Sequence, residues 1–423
     1  MYVLYLQGEI LMDYAGLYGK QKDYSKYEQR FRDLALEHEK IFGQGAEVLF
    51  SAAGRTELGG NHTDHNLGRV LASAIDLDTI AAVHANTDNT VVFHSRGFKP
   101  VVIDISDLAP VERERETTAS LIRGIAASVI KRGGRAGGFS ANVASSVLAG
   151  SGLSSSASVE VLIGTVFNEL FNGGRFSTTE IAVMGQEAEN NYFGKPCGLM
   201  DQIACANGGI VGIDFKNPAV PVITPVDSDF ASYGYTLVIV NTGGSHADLT
   251  ADYASIPAEM KSVAAFFSKS CLGELDCSLF YENIHEVRAS LKNDRAVLRA
   301  MHFYEENLRV DAMIGTLRAA DFDAYLDVVR ECGKSSAMFL QNLYSPSDPR
   351  AQGLSMALAA SEHFLGRNGA CRLQGGGFAG TIQAYVSIDA IGKYTQKMEG
   401  IFGEGCCTAV GVRSLPALGL HTI

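Results

Sequence analysis

Apolar residues return along the chain at two spacings, one typical of helices and the other of strands. The helical spacing of three to four residues covers six segments, which lie near residues 26–41, 122–130, 159–170, 258–268, 295–318 and 321–343. Ser177 and Glu180 have the spacing of a capping box, which predicts a further helix that runs to about Tyr192. The pattern therefore predicts a chain rich in amphipathic helices.

The strand-like segments are shorter and lie between the helical ones. They are found around Val70–Val83, Thr90–His94, Val101–Ile105, Phe139–Val143, Leu237–Val240 and Thr381–Val386. No tandem repeat and no Pro-rich linker occurs. Because strands and helices are mixed without a regular strand–helix–strand rhythm, their order favours an α+β fold over a doubly wound sheet.

Length and charge narrow the class of protein. A chain of 423 residues is too long for one compact core, which predicts two domains. The formal charge of −12 leaves no basic surplus to displace counterions, which argues against a general affinity for nucleic acid or for an anionic membrane. An anionic cofactor would therefore need local positive groups.

The N-terminus and the cysteines indicate a cytoplasmic protein. The first segment has no basic region and is interrupted by Glu9 and Asp13, and no apolar run reaches the length of a membrane span. The eight cysteines include no CxxC pair. Free thiols in a reducing compartment are the simplest interpretation.

The strongest local motif is the run Gly150-Ser151-Gly152-Leu153-Ser154-Ser155-Ser156-Ala157. It lies between a predicted strand and a predicted helix. Glycines let several backbone N–H groups converge, and the start of the helix adds a positive dipole end, so the run can cradle an anion. Taken alone, a plain Gly/Ser turn with an ordinary N-cap is an equally good interpretation. A Walker A loop is absent from the sequence.

A second polar run extends from Gly54 to Asn66 and combines Arg55, Asn61, His62 and Asp64 with three glycines. These side chains offer hydrogen-bond donors and acceptors on a backbone that a ligand can approach closely. Such a mixture suits a polyhydroxylated ligand. The alternative is a polar surface loop, and for His65 alone that alternative is the better one.

Carboxylates in a third region are candidates for catalysis or metal binding. Asp201 ends the apolar run Gly198-Leu199-Met200, where burying a carboxylate is costly unless it is paired or functional. Glu189 lies on the preceding helix and is a candidate Mg²⁺ ligand. The alternatives are a solvated helix face for Glu189 and an N-cap for Asp201.

The last run, from Gln374 to Gly380, matches the dinucleotide pattern GxGxxG at Gly375, Gly377 and Gly380. A nicotinamide site would require a helix directly after the run, but Thr381–Val386 alternates as a strand does. Too little chain then remains for a nucleotide-binding half. The sequence therefore argues against a nicotinamide-dependent oxidoreductase.

In this order and spacing, the four segments resemble the galactokinase branch of the GHMP kinase superfamily. The family patterns are GRVNLIGEHTDYNGG for the run that starts at Gly54, PLGSGLSSSA for the serine run, GLMDQ at 198–202 and TGGGFGG for the last run. The resemblance implies a two-domain α+β GHMP kinase fold. Residues 1–228 would form a ribosomal-S5-domain-2-like half and residues 229–423 a ferredoxin-like half.

The resemblance also implies an ATP-dependent sugar 1-kinase, with galactose as the preferred sugar and ATP and Mg²⁺ as cofactors. Asp201 would be the base or orienting group beside the sugar hydroxyl, and Arg55 would stabilise the transferring phosphoryl group. Residues 150–156 would surround the phosphates. Sugar binding is implied for Asn61, His62, Asp64 and Tyr253, and metal binding for Ser156 and Glu189. We expect a monomer or a weak homodimer.

The chain departs from the family pattern within the run from Gly54 to Asn66, which we call the first signature. Asn61 replaces a Glu that the resemblance places at the C6 end of the sugar, Glu57 replaces an Asn, and His65 replaces a Tyr. A neutral Asn61 would tolerate another group at C6, a carboxylate included. The alternatives are a kinase for N-acetylgalactosamine, galacturonate or arabinose, a kinase for another alcohol such as homoserine or mevalonate, and a non-catalytic regulator that binds sugar and ATP.

Overall fold

The computed structural model describes residues 5–6, 9–10, 12–20, 23–148, 150–244 and 249–421. Within these residues the chain forms a large sheet, a smaller sheet and a two-stranded hairpin near the N-terminus. The strands are β1 (Tyr5–Leu6), β2 (Glu9–Ile10), β3 (Val48–Gly59), β4 (Arg69–Ala85), β5 (Thr90–Ser95), β6 (Val101–Asp104), β7 (Phe139–Ser145), β8 (Ile210–Asp214), β9 (Val222–Val226), β10 (Tyr235–Asn241), β11 (Gly369–Gln374), β12 (Thr381–Ser387), β13 (Cys407–Val410) and β14 (Leu418–His421).

Helices cover the faces of both sheets. They are α1 (Tyr14–Tyr18), α2 (Ser25–Phe42), α3 (Thr118–Lys131), α4 (Ser155–Asn172), α5 (Thr178–Ala188), α6 (Met200–Asn207), α7 (Thr250–Phe266), α8 (Cys277–Glu282), α9 (Ile284–Leu291), α10 (Asp294–Arg318), α11 (Phe322–Ser335), α12 (Gly353–Leu365) and α13 (Ile391–Phe402). A π-helical turn extends α5 over Glu189–Phe193, and another extends α11 over Ser336–Leu340.

The large sheet is built around β4. Its strand order is β14-β3-β4-β7-β5-β6, and the near end of β4 also pairs with β8, which pairs with β9. All of these pairs are antiparallel except the parallel pair of β5 with β7. Strand β14, near the end of the chain, pairs with β3. The first signature therefore lies on a strand that has a neighbour along both edges.

The side chains of β3 enter different cores on its two faces. Phe50 and Ala52 pack with helices α3 to α6, whereas Leu49 packs with α1 and α2. Farther along the strand, Leu58 packs against α10. All twelve residues of β3 are buried, so the strand lacks the alternation of apolar and polar residues that marks a strand with one wet face.

The smaller sheet has the order β11-β12-β10-β13 and is antiparallel throughout. Helices α12 and α13 cover one of its faces. On the other face, Leu237 and Ile239 of β10 pack with α11 and join the core that also holds Leu58. One apolar core thus extends between the two sheets and keeps the first signature next to the Gly-rich run.

The expected α+β mixture is confirmed, and most periodic segments form the predicted elements. The run from Gly54 to Asn66 is not the polar surface loop that the sequence left open, because its first part, to Gly59, belongs to the buried strand β3. Helix α7 begins at Thr250, well before the predicted residue 258, and has Pro257 in its interior. Helices α1, α6, α8, α9, α12 and α13 were not predicted. The domain boundary at 228/229 stays a prediction.

In the part of the chain that the structure describes, no helix is both long and apolar enough to cross a membrane.

A buried carboxylate on α10 ties the first signature to the C-terminal half. Glu306 Oε1 accepts a hydrogen bond from the backbone N–H of Gly60 at 3.1 Å, and Glu306 Oε2 accepts one from Arg309 Nε at 2.7 Å. Burial alone would raise the pKa of Glu306, but His302, Arg309 and Arg372 lower it to about 2. The carboxylate is therefore ionised at neutral pH and stabilises the folded protein.

Replacing this carboxylate is predicted to destabilise the fold in a pH-dependent way. Because the pKa is lower in the folded than in the unfolded chain, its contribution is complete above about pH 4.5 and is lost as the pH falls towards 2. Glu306→Gln should lower the free energy of unfolding by about 3 kcal/mol at pH 7. Urea unfolding at pH 7 and pH 3 should show the difference shrinking.

The neighbouring Glu305 provides the control, because its carboxylate bonds only the exposed hydroxyl of Tyr281 at 3.2 Å. Glu305→Gln should change the free energy of unfolding by less than about 1 kcal/mol at both pH values. A Glu306→Gln variant as stable as Glu305→Gln at pH 7 would show that the buried carboxylate does not hold the two halves together.

Candidate active site

Arg55 and Asp201 form an ion pair between the first signature, which starts at Gly54, and the GLMDQ motif at 198–202. Arg55 extends from β3, and Asp201 lies in the first turn of α6. Arg55 Nε is 2.8 Å from Asp201 Oδ1, and Arg55 Nη2 is 2.8 Å from Asp201 Oδ2. The Arg55 side chain is 7% exposed and that of Asp201 35%. The pair is thus rigid on the arginine side and open to a ligand on the carboxylate side.

The surroundings of Asp201 keep it ionised. Burial alone would raise the pKa of this carboxyl group, but the Arg55 charge and the Ser154 hydroxyl outweigh burial and hold the pKa below its usual range. Ser154 Oγ donates to Asp201 Oδ2 at 2.5 Å. The N-cap of α6 is Leu199, so Asp201 is not the helix cap that the sequence left open.

The serine-rich run forms a tight turn that ends at the start of α4. Gly150, Gly152 and Ser154 all have positive φ angles, of 72°, 69° and 58°. The Gly152 carbonyl accepts hydrogen bonds from Arg55 Nη1 and, at 3.0 Å, from Gln374 Nε2. The turn is therefore fastened to the ion pair and to the Gly-rich run. Ala149 lies outside the described residues.

A cavity of about 280 Å³ opens at the ion pair. Its volume is near the lower end of small-molecule sites, which is roughly 300 Å³. Five residues predicted from the sequence line it, namely Arg55, Asn61, His62, Asp64 and Asp201. The other nine residues of the lining, none of which was predicted as a site residue, are Glu57, His65, Lys195, Pro196, Cys197, Gly198, Met200, Gly375 and Gly376.

The turn after β3 places His62 and Asp64 against two other motifs. His62 has a φ of 60°, and its Nε2 atom lies 2.9 Å from the Gly376 carbonyl oxygen. Burial lowers the pKa of His62 to about 4, so the ring is neutral at pH 7. A Cβ atom on Gly198 would lie 2.2 Å from Asp64 Oδ2, which explains the glycine before Leu199.

Asn61 lines the cavity, but its side-chain amide is hydrogen-bonded to other groups of the protein. Its Nδ2 atom lies 2.7 Å from the Gly375 carbonyl oxygen and 3.1 Å from Glu57 Oε1. Its Oδ1 atom accepts a hydrogen bond from Asn342 Nδ2 at 2.8 Å. The expected sugar contact of Asn61 stays a prediction.

Tyr253 supports the Gly-rich run from behind. Its hydroxyl donates to the Gly377 carbonyl at 2.8 Å, and a Cβ atom on Gly376 would lie 2.5 Å from the Tyr253 ring. The ring lies outside the lining of the cavity, so its expected contact with the sugar also stays a prediction.

Glu189 and Ser156 differ in their surroundings. Glu189 is buried at the end of α5, where Oε1 lies 3.3 Å from Lys195 Nζ and Oε2 lies 3.1 Å from Gln202 Nε2. It therefore does not lie on a solvated helix face. Ser156 is exposed in the first turn of α4. One carboxylate and one hydroxyl fit Mg²⁺, which takes most of its other ligands from phosphates and water.

Among the described residues, no group of three or more His, Cys, Asp or Glu side chains is arranged to hold a metal ion.

Some site residues were missed because only distant contacts reveal them. Gln374 lies at the start of the Gly-rich run, yet its side chain bonds Thr56 and Gly152, which are far away in the sequence. Lys195 lies in a segment without periodicity and reaches the cavity through its pairing with Glu189. The sequence signals that were available were the departures from the family pattern at Glu57, which replaces an Asn, and at His65, which replaces a Tyr.

Two regions of the chain match family models. Residues 120–209 match the GHMP kinases N terminal domain, and residues 36–85 match the galactokinase galactose-binding signature. Over 376 residues the chain is 29% identical to the galactokinase of Clostridium beijerinckii, and the match covers 86% of this chain and 92% of that protein. The Clostridium tetani galactokinase is 28% identical, with 88% and 92% covered.

Solved structures show the same fold. Lactococcus lactis galactokinase complexed with galactose superposes with a TM-score of 0.77 and 22% identity, covering 92% of this chain and 99% of that one. Methanococcus jannaschii mevalonate kinase gives a TM-score of 0.62 and 13% identity, covering 90% and 100%. The resemblance to galactokinases of the GHMP kinase superfamily is thereby confirmed, and the chain is a galactokinase-like phosphotransferase whose acceptor is an alcohol group.

The serine-rich turn offers a matched pair of glycine substitutions. Gly150 and Gly152 have nearly the same φ, but a Cβ atom on Gly150 would meet nothing within 4 Å, whereas one on Gly152 would lie 3.2 Å from Thr381 Oγ1. Gly150→Ala should cost about 1 kcal/mol of stability through backbone strain alone. Gly152→Ala should cost about 1 kcal/mol more, because its Cβ atom would lie closer to Thr381 Oγ1 than ordinary van der Waals contact allows, so that the turn or Thr381 must shift.

Urea unfolding of the two variants measures this difference. Equal losses in the two variants would show that the turn moves away from Thr381 without any cost in stability.

Proposed function

We propose that the protein transfers the γ-phosphate of ATP to the anomeric hydroxyl of galactose, which yields galactose 1-phosphate and ADP. The observation that carries this proposal is the two-contact ion pair of Arg55 with Asp201 at the edge of the cavity. Relatives named galactokinase, matched over most of their length, support the choice of sugar.

Asp201 acts on the hydroxyl that receives the phosphoryl group. Because Arg55 lowers the pKa of Asp201, the carboxylate is ionised and can accept a hydrogen bond from this hydroxyl. It orients the oxygen and accepts its proton as the bond to phosphorus forms. A strongly basic group is not needed, since phosphoryl transfer depends mainly on alignment and on charge neutralisation.

Arg55, in direct contact with Asp201, acts on the transferring phosphoryl group. Its guanidinium is held by Asp201 and by the Gly152 carbonyl, so its position is fixed before the nucleotide binds. A fixed positive charge beside the transferring phosphoryl group stabilises the negative charge on its oxygens. The same arginine thus sets the ionisation of Asp201 and the electrostatics of the transfer.

The nucleotide phosphates would lie on the turn of residues 150–156, at the positive end of α4. Ser156 and Glu189 would hold Mg²⁺, which neutralises charge on the β- and γ-phosphates when it is bound. Lys195 Nζ, 3.3 Å from Glu189 Oε1, adds a second positive charge to this side of the cavity.

A coupled ADP-release assay with ATP and Mg²⁺ tests the proposal across galactose, N-acetylgalactosamine, galacturonate and arabinose. Galactose should be turned over with the highest kcat/KM, and ³¹P NMR should show the phosphate on the anomeric oxygen. Preferred turnover of another sugar would replace galactose as the substrate. Absence of turnover with every sugar, despite measurable ATP binding, would favour a non-catalytic regulator.

Asp201→Asn is predicted to remove activity without removing the fold. The amide keeps the shape but cannot accept the proton and no longer pairs with the Arg55 charge. We expect kcat to fall at least a thousandfold, which is within the range for losing a general base and its electrostatic partner. ATP binding, measured by calorimetry, should change less than fivefold.

Asp214→Asn is the matched control, because Asp214 forms a partly exposed ion pair with Arg69 at 2.9 Å, away from the cavity. Its kcat should stay within a factor of two. An Asp201→Asn variant that is folded and nearly as active as Asp214→Asn would contradict the role of Asp201.

A further inference from the structure

The first signature contains a reciprocal exchange of residue types. Where the family pattern has Asn, this chain has Glu57, and where the pattern has Glu, it has Asn61. The two side chains touch, since Asn61 Nδ2 lies 3.1 Å from Glu57 Oε1 and 3.3 Å from Glu57 Oε2. A carboxylate and an amide are therefore both retained at this corner of the cavity, with their positions in the chain reversed.

Asn61 has little left to offer a ligand. Its two N–H bonds are directed at Glu57 and at the Gly375 carbonyl oxygen, and its Oδ1 atom accepts from Asn342 Nδ2. These partners also fix which end of the amide is which, because Nδ2 meets acceptors only and Oδ1 meets a donor. A sugar hydroxyl that approached Asn61 would find both donors already used.

Glu57 has an acceptor to spare. Its Oε1 atom takes a hydrogen bond from Arg372 Nη2 at 2.7 Å. Among the residues that the structure describes, its Oε2 atom has a single partner, the long 3.3 Å contact with Asn61 Nδ2. A carboxylate oxygen accepts two hydrogen bonds. Arg372 is fully buried and lies outside the lining of the cavity, whereas Glu57 lines it. The carboxylate is thus anchored by Arg372 and forms part of the cavity wall, with 4% of its side chain exposed.

The strand sets the distance between Glu57 and the ion pair. Arg55, Thr56 and Glu57 pair in regular register with β4, and the irregularities of β3 fall on either side of them. Residues two apart on a strand project from the same face, roughly 6.6 Å apart along the strand. That separation is comparable with the width of one sugar ring, so a ring whose acceptor hydroxyl lies at Asp201 can present another hydroxyl to Glu57.

We infer that Glu57 is a specificity-determining residue, whose Oε2 atom accepts a hydrogen bond from a sugar hydroxyl remote from the one that receives the phosphoryl group. The inference rests on the proposed function. A carboxylate accepts hydrogen bonds but donates none, so a sugar that carries its own carboxylate at that position would leave two desolvated anions face to face. Glu57 thus selects a hydroxyl over a carboxylate, the reverse of what Asn61 alone suggested.

Glu57→Gln tests this directly. A hydrogen bond to a charged group typically changes binding by roughly tenfold to a hundredfold. The KM for galactose should rise by that factor, while kcat and the KM for ATP change less than threefold. Calorimetric binding of galactose without nucleotide should weaken by the same factor. An unchanged KM and an unchanged dissociation constant in the folded variant would overturn the inference.

Deoxygalactoses identify the hydroxyl concerned. Among the deoxygalactoses that keep the anomeric hydroxyl, one should have a kcat/KM at least tenfold below that of galactose with wild-type protein. In Glu57→Gln, the same deoxy sugar and galactose should differ by less than threefold, because the partner of that hydroxyl is gone. For every deoxy sugar, the loss in kcat/KM caused by Glu57→Gln could instead multiply with the loss caused by the missing hydroxyl. That result would show that Glu57 contacts none of these hydroxyls.

The exchange itself supplies a third variant. Glu57→Asn with Asn61→Glu restores the family order and keeps one carboxylate and one amide in the pair. The double variant should bind galactose at least tenfold more tightly than Glu57→Asn alone. A double variant that is no better than the single one would contradict the view that the two positions share one carboxylate.

Glu306→Gln is the structural control. Glu306 is a buried carboxylate that also bonds the first signature, at the backbone of Gly60, but it does not line the cavity. It should lower stability yet leave the KM for galactose within about threefold. An increase in KM equal to that of Glu57→Gln would mean that the loss of any buried contact of the first signature has this effect, and the inference would fail.

Wild-type protein alone also tests the inference, should the variants not fold. Galactose should exceed galacturonate by at least a hundredfold in kcat/KM, and comparable turnover would overturn the role of Glu57. Failure of the proposed function has a different signature, since wild-type protein would then prefer another neutral sugar to galactose or phosphorylate no sugar at all. Active wild type with an unaffected Glu57→Gln variant would sink only the inference.

Discussion

The ion pair between Arg55 and Asp201 is the contact on which the arrangement of the site depends. It joins a strand to a helix that begins far later in the sequence, and Arg55 also holds the Gly152 carbonyl of the serine-rich turn. A buried guanidinium is tolerated only where its charge is compensated. Asp201 supplies that compensation while one third of its side chain stays exposed. The same geometry therefore satisfies folding and leaves a carboxylate available to a ligand.

A second buried network joins the large sheet to the smaller sheet and to α10 beside the cavity. Arg372 of β11 reaches Glu57 of β3, and Glu306 of α10 reaches the backbone of Gly60. Each carboxylate is paired, as buried charges must be. The network fixes the floor of the cavity in the way that the Arg55–Asp201 pair fixes its edge. Glu57, which we infer to select the sugar, is therefore also one of the side chains that join β3 to β11.

The sequence indicated the elements whose environment differs between their faces, and it was less informative where burial is uniform. Helix α2 was predicted because Phe31 and Leu34 face the core while the opposite side is wet. Strand β3 was not, because both of its faces are buried and its polar residues have partners inside the protein. Arg372, which pairs with Glu57, lies 315 residues further along the chain, and no local pattern reports such a contact.

The central claim is that Asp201 and Arg55 face the reacting atoms of the sugar and the nucleotide together. A crystal structure with galactose and a non-hydrolysable ATP analogue tests it most directly. Our account predicts the anomeric oxygen within hydrogen-bonding distance of the Asp201 carboxylate, with the Arg55 guanidinium next to the terminal phosphate. A sugar bound with its anomeric oxygen directed away from Asp201, or phosphates bound away from the turn at residues 150–156, would contradict it.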